Sequence, residues 1–198
     1  MITSNVSTSA LGWTGIAVGV IAILAVVFLT LMATVNSSFG KVNDVFNSLI
    51  GISSVILAWM LFAEHQVRSP LMSQVGLALA VLGMVFTIIG SILIIYSYTD
   101  FVLAGWYTGI GNALIGLWLA AICYTLLSGD VLPRSLIIFG IVAGAFMAVG
   151  LIGIFGILAG IDNMKMPWYL YISFFGYLGT YILYPIWAIR LGLFLLSK

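Results

Sequence analysis

The chain has 198 residues, of which 64% are hydrophobic and 6% charged, with a mean hydropathy of +1.29 and a formal net charge of +1. Too few polar side chains remain to cover a water-soluble globule of this length, and the six Lys and Arg residues are scattered singly, offering no basic surface for a nucleic-acid backbone. Composition therefore predicts an all-α polytopic membrane protein, with the lipid bilayer as its main partner and nucleic acid excluded.

Crossing about 30 Å of hydrocarbon takes roughly 20 apolar residues of α-helix. Six runs meet that length, and we predict spans over residues 11–33, 43–63, 70–97, 101–127, 133–160 and 168–196. Hydrocarbon leaves backbone N–H and C=O groups no external partner, and these runs are too long and lack the dyad alternation of barrel strands. The connections are short, so the sequence predicts one transmembrane domain over 1–198.

Residues 1–10 are polar and uncharged, without the basic stretch that opens a secretory signal, so the first span is expected to be retained. Lys41 and Asp44 form an i,i+3 pair at the start of the second span and are expected to be a surface pair of little energetic weight. That span ends in the densest polar cluster of the chain, where Glu64 and Arg68 have the i,i+4 spacing that sets opposite charges on one helical face. As structure the cluster is a solvated helix end. As function, Glu64 or His65 relays protons, or His65 ligates a haem or a chlorophyll-type magnesium. One histidine supplies at most one axial ligand, and no His, Asp and Glu set has the spacing of a zinc or di-iron centre.

Pro70, Pro133 and Pro167 mark starts of the third, fifth and sixth spans, where a missing N–H is harmless. Along the third span Gly76, Gly83 and Gly90 recur every seven residues; Gly109 and Gly116 do so on the fourth, and Gly153 and Gly160 on the fifth. Gly105 with Gly109, Gly140 with Gly144, and Gly156 with Gly160 add small-xxx-small pairs. Lipid gives helices no hydrophobic drive to associate, so small residues that let backbones approach predict packing seams; the other reading is a ligand or lipid groove.

Asn112 lies near the middle of the fourth span, where an amide in lipid wants an interhelical partner. Its sharper reading is a midplane ligand contact, with Ser53, Ser54, Thr87 or Ser91 from neighbouring spans. Cys123, the only cysteine, is expected to pack in an apolar helix. In the sixth span Pro185 removes the bond to the Tyr181 carbonyl and is expected to bend the helix or free that oxygen. Arg190 either snorkels to the interface or aims a fixed charge into the bundle, where Asn112, Pro185 and Arg190 then outline a ligand site between the fourth and sixth spans.

An even number of spans puts both termini on one side. That side carries Arg68, Arg134, Arg190 and Lys198 against Lys41 and Lys165 opposite, which favours cytoplasmic termini. Trp168, Tyr169, Tyr171, Tyr96, Tyr98 and Trp106 are expected to form the outer aromatic belt, with Trp59 and Tyr124 near the inner face. No nucleophile sits within reach of a His and carboxylate pair, and the glycine-rich tracts lack the Lys-Ser or Lys-Thr of a phosphate loop, so no catalytic residue is predicted.

The stretch Asn112-Ala-Leu-Ile-Gly-Leu-Trp-Leu-Ala, the turn Gly129-Asp-Val-Leu-Pro133-Arg134 and the ending Tyr184-Pro185-Ile-Trp187-Ala-Ile-Arg190-Leu-Gly192 resemble a group of small, uncharacterised prokaryotic six-span membrane proteins. The likeness covers roughly the last ninety residues and implies six helices in a prokaryotic cell (inner) membrane; it carries over no site. Three functional classes follow. The first is a non-catalytic accessory or scaffolding subunit, or a homo-oligomer, which works through helix packing with other membrane subunits or itself. The second is a small-solute or lipid carrier with its site between the fourth and sixth spans, and the third a haem- or pigment-binding protein centred on His65.

Overall fold

A computed structural model describes residues 7–65, 70–129 and 131–198, except the side chains of residues 64 and 65. The described residues form six helices long and apolar enough to cross a membrane, and no strand occurs among them. In chain order they are α1 (Thr8–Thr34), α2 (Phe39–His65), α3 (Pro70–Ile95), α4 (Phe101–Leu126), α5 (Arg134–Leu158) and α6 (Trp168–Leu196).

Local chemistry sets the ends. The Ser7 hydroxyl oxygen accepts from the Ala10 N–H at 3.0 Å, so α1 begins at Thr8, ahead of the first apolar residue. Asn36 Oδ1 accepts from the Ser38 N–H at 2.8 Å, a tight turn that lets α2 start at Phe39, four residues before the predicted boundary. That extension makes Lys41, Asn43 and Asp44 helical. At the end of α5, Ile161 N–H reaches the Gly156 carbonyl at 2.9 Å and Gly160 N–H the Ile157 carbonyl at 3.0 Å, while Gly160 has φ +61°. This pairing is a Schellman stop, which needs a left-handed residue at that place.

Each helix packs on its chain neighbours, and α6 returns to α1, closing a ring of antiparallel helices. Burial alternates around the ring: the most apolar stretches of α2, α4 and α6 are 44%, 61% and 50% buried, against 22%, 28% and 39% for α1, α3 and α5. The even-numbered helices thus form the interior, and all three begin on the face opposite the chain termini. The two ends meet on the other face, where a Cβ built on Gly12 would stand 2.9 Å from Leu196 Cγ.

Glycines bring several of these backbones together. A Cβ on Gly83 would stand 2.6 Å from the Gly111 carbonyl, and one on Gly90 2.8 Å from the Ala104 carbonyl, so Gly83 and Gly90 form an α3–α4 seam continued by Gly76 against Trp118. Gly116 meets Gly144 in the same way across α4 and α5. A further seam not singled out in the sequence joins Gly12, Gly15 and Gly19 of α1 to Ala188, Gly192 and Pro185 of α6. Two expected packing glycines behave differently. Gly109 has open space where its Cβ would be, although its carbonyl is approached by Gly150, and Gly160 is the exposed helix stop just described.

α6 is not a uniform helix. Its first turns end in a π-helical segment at Gly179–Leu183, with the Tyr184 N–H bonded to the Gly179 carbonyl, and regular α-helix resumes at Tyr184–Leu196. The wider π register immediately before Pro185 absorbs the donor and the space that proline denies an α-helix. The Pro185 carbonyl then faces α1 at Gly19.

Candidate functional site

The three inward helices supply a polar cluster in the half of the bundle nearest their N-termini. On α2, Asn43, Asp44 and Asn47 are 2%, 6% and 2% exposed; spacing of i and i+4 aligns the two asparagines on one face, with Asp44 beside them. Asp44 lies five residues into the helix, about 8 Å along its axis. On α6, Tyr177, Tyr181 and Tyr184 repeat at i, i+4 and i+7 and form one inward stripe.

Hydrogen bonds run through the cluster in one direction. The Tyr181 hydroxyl donates to Asn47 Oδ1 at 2.9 Å, Asn47 Nδ2 donates to Asn43 Oδ1 at 3.0 Å, and Asn43 Nδ2 donates to the Ala25 carbonyl of α1 at 2.8 Å. Ser91 of α3 donates to the Asp44 backbone carbonyl at 2.6 Å. Deeper in the bundle, the Ser54 and Tyr184 hydroxyls share a 2.8 Å bond. Asp44 is the exception: its Oδ2 is buried without a hydrogen-bond partner. An unpartnered carboxylate oxygen at membrane depth is costly, and such a group calls for a cation, a donor or a proton.

Asp44 borders a cavity of about 80 Å³, lined by Asn43 and Asn47 of α2, Phe101, Gly105 and Thr108 of α4, and Tyr177 and Tyr181 of α6, with Leu29 of α1. A second chamber of about 260 Å³ lies between α4 and α6, lined by Phe101, Val102, Gly105, Trp106, Met164, Phe174 and Tyr177. The two share Phe101, Gly105 and Tyr177. Stacked rings pass along both: Trp106 on Phe174 at 5.8 Å, Phe174 on Tyr177 at 5.8 Å, and Tyr177 on Tyr181 at 5.7 Å. Two bonds hold the 159–167 connection over the chamber. Trp106 Nε1 donates to the Ile161 carbonyl at 3.0 Å and the Tyr171 hydroxyl to the Met164 carbonyl at 2.7 Å. Trp106 is therefore 3% exposed and no part of an aromatic belt, unlike Trp168, Tyr96 and Tyr98, which are exposed.

The residues expected from sequence to form a site fall elsewhere. Arg190 is exposed while Pro185 and Asn112 are buried, so the three do not outline one ligand site. The reason is angular: five residues of helix rotate Arg190 about 140° from Pro185. Asn112 is 2% exposed, and neither its Nδ2 nor its Oδ1 has a partner. Its expected companions bond elsewhere, Ser53 to the Leu49 carbonyl, Thr87 to the Met84 carbonyl, Ser54 to Tyr184 and Ser91 to Asp44. Asp44, expected on the surface with Lys41, is buried while Lys41 is exposed. The Glu64, His65 and Arg68 side chains lie outside the described residues.

The signal for the real cluster was present in the sequence as Asn43-Asp44-x-x-Asn47, together with the tyrosine stripe of the last span. A second span that starts at residue 43 has those polar groups at its mouth, whereas the helix that starts at Phe39 has them inside it. Gly153 and Gly156 were visible too, but their role is to form a slot for the Trp106 ring, 3.0 and 2.7 Å from where their Cβ atoms would be. Comparison with protein-family models, with curated proteins and with solved structures gives no significant match.

Proposed function

We propose that this protein is a small-solute carrier whose binding site is the cavity at Asp44, and that the solute it accepts is positively charged. The observation that carries this reading is Asp44 Oδ2, buried and without a protein hydrogen-bond partner beside a cavity between the three inward helices. A carboxylate held in this way favours a cation over an anion or a neutral solute. The site differs from the one expected between the fourth and sixth spans by including α2, which brings the acidic group.

The competing reading is an accessory or scaffolding subunit, or a homo-oligomer, that acts through helix packing. The absence of a catalytic constellation in the sequence motivates it, while the close glycine contacts pair α3 with α4, α4 with α5 and α1 with α6 within the chain. That reading also gives no account of the orphan oxygen. The membrane we propose is the cell (inner) membrane of a prokaryote with both termini cytoplasmic, supported by the excess of Arg and Lys on the terminal face and by the C-terminal resemblance.

Proteoliposomes loaded against a panel of alkali and organic ammonium cations test the proposal. Uptake of at least one cation that disappears in Asp44→Asn, with the variant still folded and monodisperse, is the expected result. Absence of uptake across the panel, or uptake indifferent to Asp44→Asn, would reject it, and stoichiometric copurification with other chains would then favour the packing subunit.

A further inference from the structure

We propose that the Asp44 cavity and the adjoining aromatic chamber form one bipartite site for an organic ammonium ion bearing a ring-sized apolar group. The proposal rests on the carrier reading above and adds the class of solute.

The polar half disfavours a divalent metal ion. Asn47 Oδ1 already accepts from Tyr181 and Asn43 Oδ1 from Asn47, so the two asparagine oxygens are oriented toward protein donors, and the hydroxyls of Thr108 and Tyr177 are the other oxygens of the lining. Asp44 Oδ2 is the buried oxygen left over. Calcium wants six to eight oxygen ligands and magnesium a strict octahedron, which one carboxylate and two hydroxyls do not supply. An ammonium ion is less demanding, since it needs one counter-charge and an apolar surrounding for its carbon substituents.

The apolar half supplies that surrounding. Phe101, Gly105 and Tyr177 line both spaces, so the two adjoin, and in the proposed pose a solute whose charged end is beside Asp44 places its other end in the chamber. A volume of about 260 Å³ lies just under the usual range of roughly 300–1,000 Å³ for pockets that enclose drug-sized ligands, and suits a group of about one ring. The rings of Trp106, Phe174, Tyr177 and Tyr181 stack on one another, so their faces are taken by neighbours. The chamber wall therefore recognises shape and apolar surface, while charge recognition rests on Asp44. At the rim, Phe101 and Met164 are 44% and 55% exposed, which opens the chamber toward the surface.

Two probes separate the halves: benzyltrimethylammonium, which carries both parts, and tetramethylammonium, which carries the charge alone. Equilibrium binding is measured on the full chain in lipid nanodiscs, with wild type, Asp44→Asn and Val102→Phe, a substitution at a chamber wall that does not line the Asp44 cavity. The wild type is expected to bind benzyltrimethylammonium at least roughly tenfold more tightly than tetramethylammonium, as burial of about one ring requires. Asp44→Asn is expected to lose both probes, and Val102→Phe to bring the two affinities together. Equal wild-type affinities that both depend on Asp44 would overturn the bipartite site and leave the cation site standing. Binding of neither probe, or binding unaffected by Asp44→Asn, would overturn both. The wild-type comparison decides the matter even if Val102→Phe fails to fold.

Discussion

The Tyr181 hydroxyl donates to Asn47 Oδ1 at 2.9 Å and ties α6 to α2 across 134 residues of sequence. Both residues are buried, and the bond heads the chain of amides that ends on the Ala25 carbonyl. Tyr181→Phe keeps the ring stack with Tyr177 and removes only the donor. Interhelical bonds in membranes average about 0.6 kcal/mol and reach about 1.7, so a loss of roughly 1 kcal/mol of apparent stability is expected. A double-mutant cycle with Asn47→Ala, read by thermal unfolding in mild detergent, should show coupling of that order. Strict additivity would mean that the bond contributes nothing.

The glycines divide into two groups that substitution by alanine will separate. At Gly83 the new methyl would stand 2.6 Å from the Gly111 carbonyl, and at Gly116 2.8 Å from the Gly144 carbonyl. Backbone cannot yield as a side-chain tip does, so Gly83→Ala and Gly116→Ala should push helices apart, at a cost of about 1–3 kcal/mol. Gly109→Ala meets nothing within 4 Å and relieves the helix penalty of glycine, so it should be neutral or stabilising by up to about 1 kcal/mol. Melting temperatures of the three variants in one detergent check the ordering.

The spans were readable because apolar length and the need to satisfy the backbone leave few alternatives in lipid. The seam glycines were readable where heptad spacing kept them on one face, as with Gly76, Gly83 and Gly90. Which face of a helix turns inward is hard to read where every side is apolar, as over most of α1 and α5. Arg190 illustrates the difficulty: its position in the last span said nothing about its rotation. Asp44 illustrates another, since charge near a span end reads as surface until neighbouring helices are known to extend past it. The two halves of the candidate site come from α2 on one side and from α4 and α6 on the other, and no local spacing connects them.

Gly160 offers a test of local backbone chemistry free of packing. It is exposed, with φ +61° and open space at its Cβ. Gly160→Ala should cost about 1–2 kcal/mol through the left-handed conformation alone, and Gly160→Asn, which tolerates that region, should recover much of it. Equal effects of the two substitutions would point to some role for the glycine other than the Schellman stop.

Arg190 faces away from the bundle and should be dispensable for any ligand bound at Asp44. Arg190→Gln is expected to leave cation affinity within about twofold of wild type, because the side chain is exposed on the outside of the bundle and lines neither the Asp44 cavity nor the adjoining chamber. Its effect should fall instead on orientation, since it removes one positive charge from the terminal face. Binding measurements and a protease-accessibility assay on membrane vesicles separate the two. A large loss of affinity in folded, correctly oriented protein would show that the guanidinium reaches the site.

Asp44→Asn should act on stability in the direction opposite to most substitutions of a buried residue. Asp44 Oδ2 has no protein hydrogen-bond partner, so the carboxylate carries a desolvation cost with no compensating bond from the chain. The amide has nearly the same shape and no charge. A gain of about 1–3 kcal/mol in apparent stability is therefore expected without ligand, seen as a higher unfolding temperature in detergent. With a bound cation the order should reverse, because only the wild type gains stability from ligand by mass action. Crossing of the two unfolding curves as cation concentration rises is the decisive outcome; a variant less stable than wild type in the absence of any cation would mean that Asp44 already has a partner in the folded bundle.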